Sequence, residues 1–113
     1  MLNQVVLVGR LTQEPTIEKE DDKEKGYITL AVPRAYKNAD GEYETDFIDC
    51  VLWNMIATNT SEYCHKGDIV GVKGRLQTEL YEDEDGNKKK RINVIAEKVT
   101  FLTSKKSEET EEE

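Results

Sequence analysis

The sequence predicts an all-β fold, a small five-stranded barrel that carries one short helix. Three observations lead there. Five stretches show strand-type patterning, several rich in β-branched residues, with turn-forming residues between them. One stretch, between the third and fourth of these, switches to helical spacing. The chain has 113 residues, which suits one domain with a modest core. Five strands of that size cannot bury both faces as a flat sheet, and closure into a barrel removes the exposed edges.

The first strand is expected over residues 3–11, where Val5, Val6, Leu7 and Val8 form the longest apolar run and Gly9 permits a bend. Pro15 closes it. Residues 18–25, EKEDDKEK, hold no apolar side chain and read as a solvated hairpin tip. The second strand spans residues 27–32, with Ile28, Leu30 and Val32 on one face and Pro33 as its end. Asn38-Ala39-Asp40-Gly41 is a turn by composition. The third strand covers residues 44–53. Ile56, Thr60 and Tyr63 then fall at helical spacing, Asn54 is a candidate N-cap and Gly67 a stop, so the helix is placed at about residues 55–64. The fourth strand runs over residues 68–81, interrupted by Gly71 and Gly74 as at a barrel corner. Asp85-Gly86 marks a hairpin tip, and Lys88 opens a fifth strand that ends near Phe101. Residues 1–103 form the domain. Residues 104–113 have no apolar anchor and are expected to be a disordered acidic tail. The order β-β-β-α-β-β, with the helix between strands three and four, is the plan of the OB-fold, a closed or partly open Greek-key barrel.

Composition narrows the function. No phosphate-cradling glycine loop, GxSxG elbow or catalytic constellation is present, so an enzyme is not expected. One histidine and two cysteines without a CxxC pair make a poor metal set, and neither metal nor cofactor is expected. Cys50 and Cys64 are expected buried and reduced. The opening Met1-Leu2-Asn3-Gln4 does not resemble a signal peptide and no run is long enough to span a membrane, so the protein is expected to be soluble and cytoplasmic. The formal net charge of −8 opposes non-specific attraction to nucleic acid.

The third strand carries the functional argument. With period two, Ile48, Cys50 and Leu52 form a small apolar face suited to the core. Phe47, Asp49, Val51 and Trp53 form the other. A strand covered on both faces would make both aromatics core residues. Asp49 between them argues for exposure, because an unpaired buried carboxylate is costly. Two exposed aromatics on one strand face mark a contact surface. Proteins that hold single strands without sequence preference use aromatic platforms and backbone cations. The candidate platforms are Tyr36, Phe47, Trp53 and Tyr81. The candidate cations are Arg34, Lys37, Lys73, Arg75 and the run that opens at Lys88. For each taken singly, a surface tyrosine or a solubilising lysine is an equal account; stacking explains them jointly.

Several stretches resemble the bacterial single-stranded DNA-binding proteins (SSB), especially the short Gram-positive type. They are Asn3-Gln4-Val5-Val6-Leu7-Val8-Gly9-Arg10-Leu11, Ile28-Thr29-Leu30-Ala31-Val32, the third strand from Thr45 to Trp53, Tyr63-Cys64-His65-Lys66-Gly67, and the strand from Gly71 to Thr78. The resemblance spans roughly residues 1–103. It implies an OB-fold assembled as a homotetramer, with single-stranded DNA wrapped over it for replication, recombination or repair, in a cytoplasmic, nucleoid-associated setting. The family's stacking positions fall on Tyr36, Phe47, Trp53 and Tyr81, and its cations match at Arg10, Lys37 and Arg75. The chain departs from the family at Asn54, Met55 and Glu79, where basic residues are common, and at Asp49, where Asn or Arg is common. The family's acidic tip ends in Pro-Phe and recruits other proteins. Here the acid remains without Pro-Phe, so recruitment through such a tip is not expected. The rival reading is an OB-fold interaction module, of a primosome or conjugation type, with weakened DNA binding. The retained aromatics favour the DNA-binding reading.

Overall fold

The structure, a computed structural model, describes residues 1–103; the expected acidic tail over 104–113 lies outside the described residues. Its elements are β1 (Val5–Leu11), β2 (Thr16–Glu20), β3 (Lys23–Lys37), β4 (Tyr43–Trp53), α1 (Met55–Tyr63), β5 (Ile69–Glu82) and β6 (Lys88–Phe101). The sheet order is β1-β5-β6-β4-β3-β2, and an added β1–β3 pairing closes β1, β5, β6, β4 and β3 into a ring. All pairings are antiparallel except β4 with β6, where Cys50 lies opposite Val94. This five-stranded closed barrel, with its helix between β4 and β5, is the OB-fold expected from the sequence.

The core follows from strand alternation. Leu11, Ile28, Leu30, Cys50, Leu52, Val70 and Val72 point inward and are buried, and Ala57, Thr60 and Cys64 cover them from α1 and its end. Burying one such aliphatic side chain contributes about 1.5–3 kcal/mol. Both cysteines are free. Burial pushes the Cys50 thiol up to about 12 and the Cys64 thiol up to about 11, so both stay neutral packing groups.

The sixth strand departs from expectation. The charged run at 18–25 is a hairpin tip, as expected, but it also forms paired strand on both sides of the turn, the end of β2 and the start of β3. Glu18 faces Lys25, Lys19 faces Glu24, and Glu20 faces Lys23. Every pair joins opposite charges, each contributing about 0.2–1 kcal/mol across an antiparallel ladder. Asp21 and Asp22, with φ of 49° and 67°, supply the tight turn. Pro33 does not end its strand. β3 continues to Lys37, and its register against β4 shifts between Pro33 and Lys37, where an unpaired amide position is tolerated.

The helix also starts differently. Asn54 has φ of 55° and makes no side-chain cap bond. Its backbone N–H donates to the Glu24 carbonyl at 2.7 Å, and its own carbonyl accepts the Thr58 N–H at 3.0 Å. The Thr58 hydroxyl adds a bond to the Glu24 carboxylate. The β2–β3 hairpin is thereby fixed to the corner between β4 and α1. Gly67 lies beyond the helix, in a turn where its N–H donates to the Leu11 carbonyl at 2.9 Å. At the far end of β5 and β6, the paired strands run past the barrel as an arm. Its tip is held by Asp83, whose carboxylate accepts the Asp85 and Asn87 amides at 3.0 and 2.8 Å.

Candidate nucleic-acid interface

Phe47, Asp49, Val51 and Trp53 share the face of β4 opposite to Cys50 and Leu52, but Val51 is itself buried, so only Phe47, Asp49 and part of Trp53 reach the surface. Phe47 is 68 % exposed, while Trp53 is half-buried. Cross-strand pairing extends this face in both directions. Trp53 lies opposite Lys25, Val51 opposite Tyr27, Asp49 opposite Thr29, and Phe47 opposite Ala31. Ala31 in turn lies opposite Arg10 on β1, so Arg10, Ala31 and Phe47 form one row across three strands. On the other side, Val51 neighbours Ile95 of β6, which faces Arg75 of β5. Stepping by two residues along that hairpin brings Gln77, Glu79 and Tyr81, opposite Asn93, Arg91 and Lys89, onto the same face.

Pairing thus puts Phe47, Trp53, Tyr81, Arg10 and Arg75 on one face of the sheet, with Val51 and Ile95 buried between β4 and the Arg75 side. The Arg91 guanidinium stacks over Tyr81 at 4.4 Å from the ring centre. Arg75 is shared between Glu97 at 3.2 Å and Gln77 at 3.4 Å. Arg10 donates to the Gly67 carbonyl at 2.6 Å and lines a shallow groove of about 320 Å³ with Val8, Pro33, Thr45 and Ile69. Ala31, directly opposite Phe47, also lines this groove.

Other candidates lie apart. Arg34 is held in a fork by Asp46, at 2.9 and 3.2 Å, and by Glu44 at 2.5 Å. The Arg34 hydrogen bonds hold the Asp46 carboxyl below the usual carboxylate range. Tyr36 neighbours this cluster and, by alternation from Lys37, lies on the side away from Phe47. Lys37 faces Tyr43 and places its ammonium 5.8 Å from that ring. Lys73 is exposed opposite Val6 of β1. Lys88 faces Glu82 at the arm tip, on the side opposite to Tyr81. Lys37, Lys73 and Lys88 form no ion pair with another described residue.

Sequence reasoning missed Lys25, Tyr27 and Tyr43, whereas Arg91 is the last cation of the run that opens at Lys88. Tyr27 alternates with the core residue Ile28, which was signal enough to turn it outward. Lys25 was hidden inside the charged run that reads as a solvated hairpin tip. Carboxylates also occupy the face. Asp49 accepts the Thr29 hydroxyl at 2.6 Å, and Glu79 accepts the Asn93 amide at 3.2 Å. Aromatic faces spaced by cations suit a polyanion with flat bases, while these carboxylates lower its attraction. No group of described residues is arranged to hold a metal ion, and no described helix is long and apolar enough to cross a membrane.

The Single-strand binding protein family profile matches residues 2–102. The chain is 46 % identical over 109 residues to "Single-stranded DNA-binding protein B" of Bacillus subtilis, covering 96 % of each chain. It is 42 % identical to "Single-stranded DNA-binding protein 1" of Lactococcus lactis, over 96 % of this chain and 73 % of the relative. It is 47 % identical to the "Single-stranded DNA-binding protein" of Bacillus cereus, over 90 % of this chain but 61 % of that longer relative.

Proposed function

The chain belongs to the single-strand binding protein family, and on that premise we propose that it binds single-stranded DNA by stacking bases on Trp53 and Phe47. The observation that carries the reading is the outward face of β4, where both rings stand on a surface that pairing extends to Arg10, Arg75 and Tyr81. At roughly 3.3 Å per residue the two rings lie about 20 Å apart, room for separate nucleotides on each. The strand runs from Trp53 past Asp49 to Phe47, with Tyr81 and Arg91 on the arm extending the path. Base readout plays little part, because every base presents a flat face to an aromatic ring.

The protein acts by holding and protecting the strand during replication, recombination or repair, with no chemical step of its own, in the cytoplasm beside the nucleoid. It does so as a homotetramer. Val6 and Val8 on β1, and Leu80 and Ile92 on the arm, are 68, 53, 78 and 63 % exposed in the single chain, apolar area that copies of the chain can cover. The test is binding of labelled oligo-dT to the wild type and to Phe47→Ala. The substitution costs on the order of 1–3 kcal/mol if the ring stacks on a base. Equal affinity removes Phe47 from the path.

A further inference from the structure

Lys25 stands directly opposite Trp53 in the β3–β4 ladder. Its ammonium lies 5.3 Å from the Trp53 ring centre and 5.3 Å from the Tyr27 ring centre, within cation–π range of both. One face of the chain's only tryptophan is therefore already occupied in the free protein. The placement is firm. Five consecutive residue pairs join β2 to β3, and the Glu24 carbonyl, one residue before Lys25, is bonded to the Asn54 amide, one residue after Trp53.

We propose that Lys25 is a nucleic-acid-binding residue that moves from the Trp53 ring to a backbone phosphate when a strand arrives, uncovering the indole for a base. The inference rests on the single-strand-binding reading and adds a regulation of that site. Two groups compete for the ammonium. The rings hold it through their quadrupoles, worth about 0.5–1 kcal/mol at an exposed site. A phosphate offers a full charge and stronger, charge-assisted hydrogen bonds. The Tyr27 hydroxyl, then Glu20 and Glu79, raise the lysine above its ordinary value against the opposing cost of burial, so it remains charged at neutral pH. Those carboxylates also balance its charge in the free protein and give it up to a phosphate. A base alone, without its phosphate, displaces the lysine poorly. The exchange therefore couples stacking on Trp53 to the presence of a charged backbone.

The test uses the full chain as wild type, Lys25→Ala and Lys25→Arg. Alanine removes the charge together with the chain that lies over the rings. In the free protein, quenching of Trp53 emission by neutral acrylamide is expected to rise in Lys25→Ala and to stay near wild type in Lys25→Arg. In oligo-dT titrations across a salt series, the slope of log affinity against log salt is expected to become shallower by about 0.7 in Lys25→Ala and to recover in Lys25→Arg. An unchanged slope in Lys25→Ala overturns the phosphate contact. Unchanged acrylamide quenching overturns the covering of the ring. Absence of oligo-dT binding by the wild type at low salt instead brings down the reading beneath it and this inference together. Matching melting curves for the three proteins establish that the differences are not failures to fold.

Discussion

Of the chain's glycines, Gly74 leaves the least room for a side chain. It faces Val5 of β1 on one side and Ala96 of β6 on the other, where the β5–β6 register slips. A Cβ placed there would run into the Ile95 carbonyl oxygen, with the Ile95 carbonyl carbon 2.9 Å and the Ala96 Cα 3.2 Å away. All three obstacles are backbone atoms of a paired strand, so no side chain can turn aside. Gly74→Ala must pull β5 from β6 where the ring closes. Overpacking absorbed by side chains costs about 1–3 kcal/mol, and a backbone clash belongs at or above the upper end. At about 4–8 °C per kcal/mol for a domain near this size, a loss of about 3 kcal/mol lowers the melting temperature by roughly 12–24 °C. Gly71→Ala is the internal control. Its Cβ would meet nothing closer than 3.9 Å, and reduced freedom in the unfolded chain favours it by about 0.4–1 kcal/mol. Circular-dichroism melts of both variants at one protein concentration decide the matter. If Gly74→Ala melts with the wild type, or Gly71→Ala falls as far as Gly74→Ala, the close approach of β5 and β6 is wrong.

Asp49→Asn keeps an acceptor for the Thr29 hydroxyl and removes a negative charge between Phe47 and Trp53. A charge pair near 4 Å in water is worth about 1 kcal/mol, so oligo-dT affinity should rise about fivefold at low salt. The gain should fade as salt screens it, and a tighter wild type would place the strand away from Asp49. Arg34 and Asp46 give a pH signature. Because the folded Asp46 carboxyl is held below its ordinary value, its stabilising contribution is complete above about pH 4 and is lost as pH falls through the lowered value. Urea unfolding of the wild type should weaken more steeply below about pH 4 than that of Arg34→Gln, and parallel curves would show that the fork contributes nothing.

The ring of strands was legible because burial leaves a pattern. Ile28 and Leu30, and likewise Cys50 and Leu52, alternate with outward residues, and the structure buries all four. The arm tip was legible because Asp85-Gly86 has few other uses. β2 was not read as a strand because all five of its residues are exposed and hydrophobic alternation is silent there. Its signal was the charge sequence itself, which places opposite signs across a two-residue turn. The same omission hid Lys25 from the candidate site. Tyr36 and Arg34 were chosen for residue type and position in sequence, and the pairing of Lys37 with Tyr43, on the Phe47 side of β4, turns the adjacent Tyr36 away from Phe47. The network that occupies Arg34 depends on Glu44 and Asp46 in the next strand, which spacing along one strand cannot reveal.

The most direct test of single-strand binding through β4 is a titration of intrinsic fluorescence with oligo-dT at two salt concentrations. Trp53 is the chain's only tryptophan, so its emission reports on that position alone. Stacking on a base predicts strong quenching that saturates at low salt and shifts to higher strand concentration at high salt, with a slope of about −0.7 per phosphate neutralised. Constant emission while a labelled strand is shown to bind would take Trp53 out of the path. No binding even at low salt would contradict the account as a whole and leave the OB barrel as a protein-interaction module.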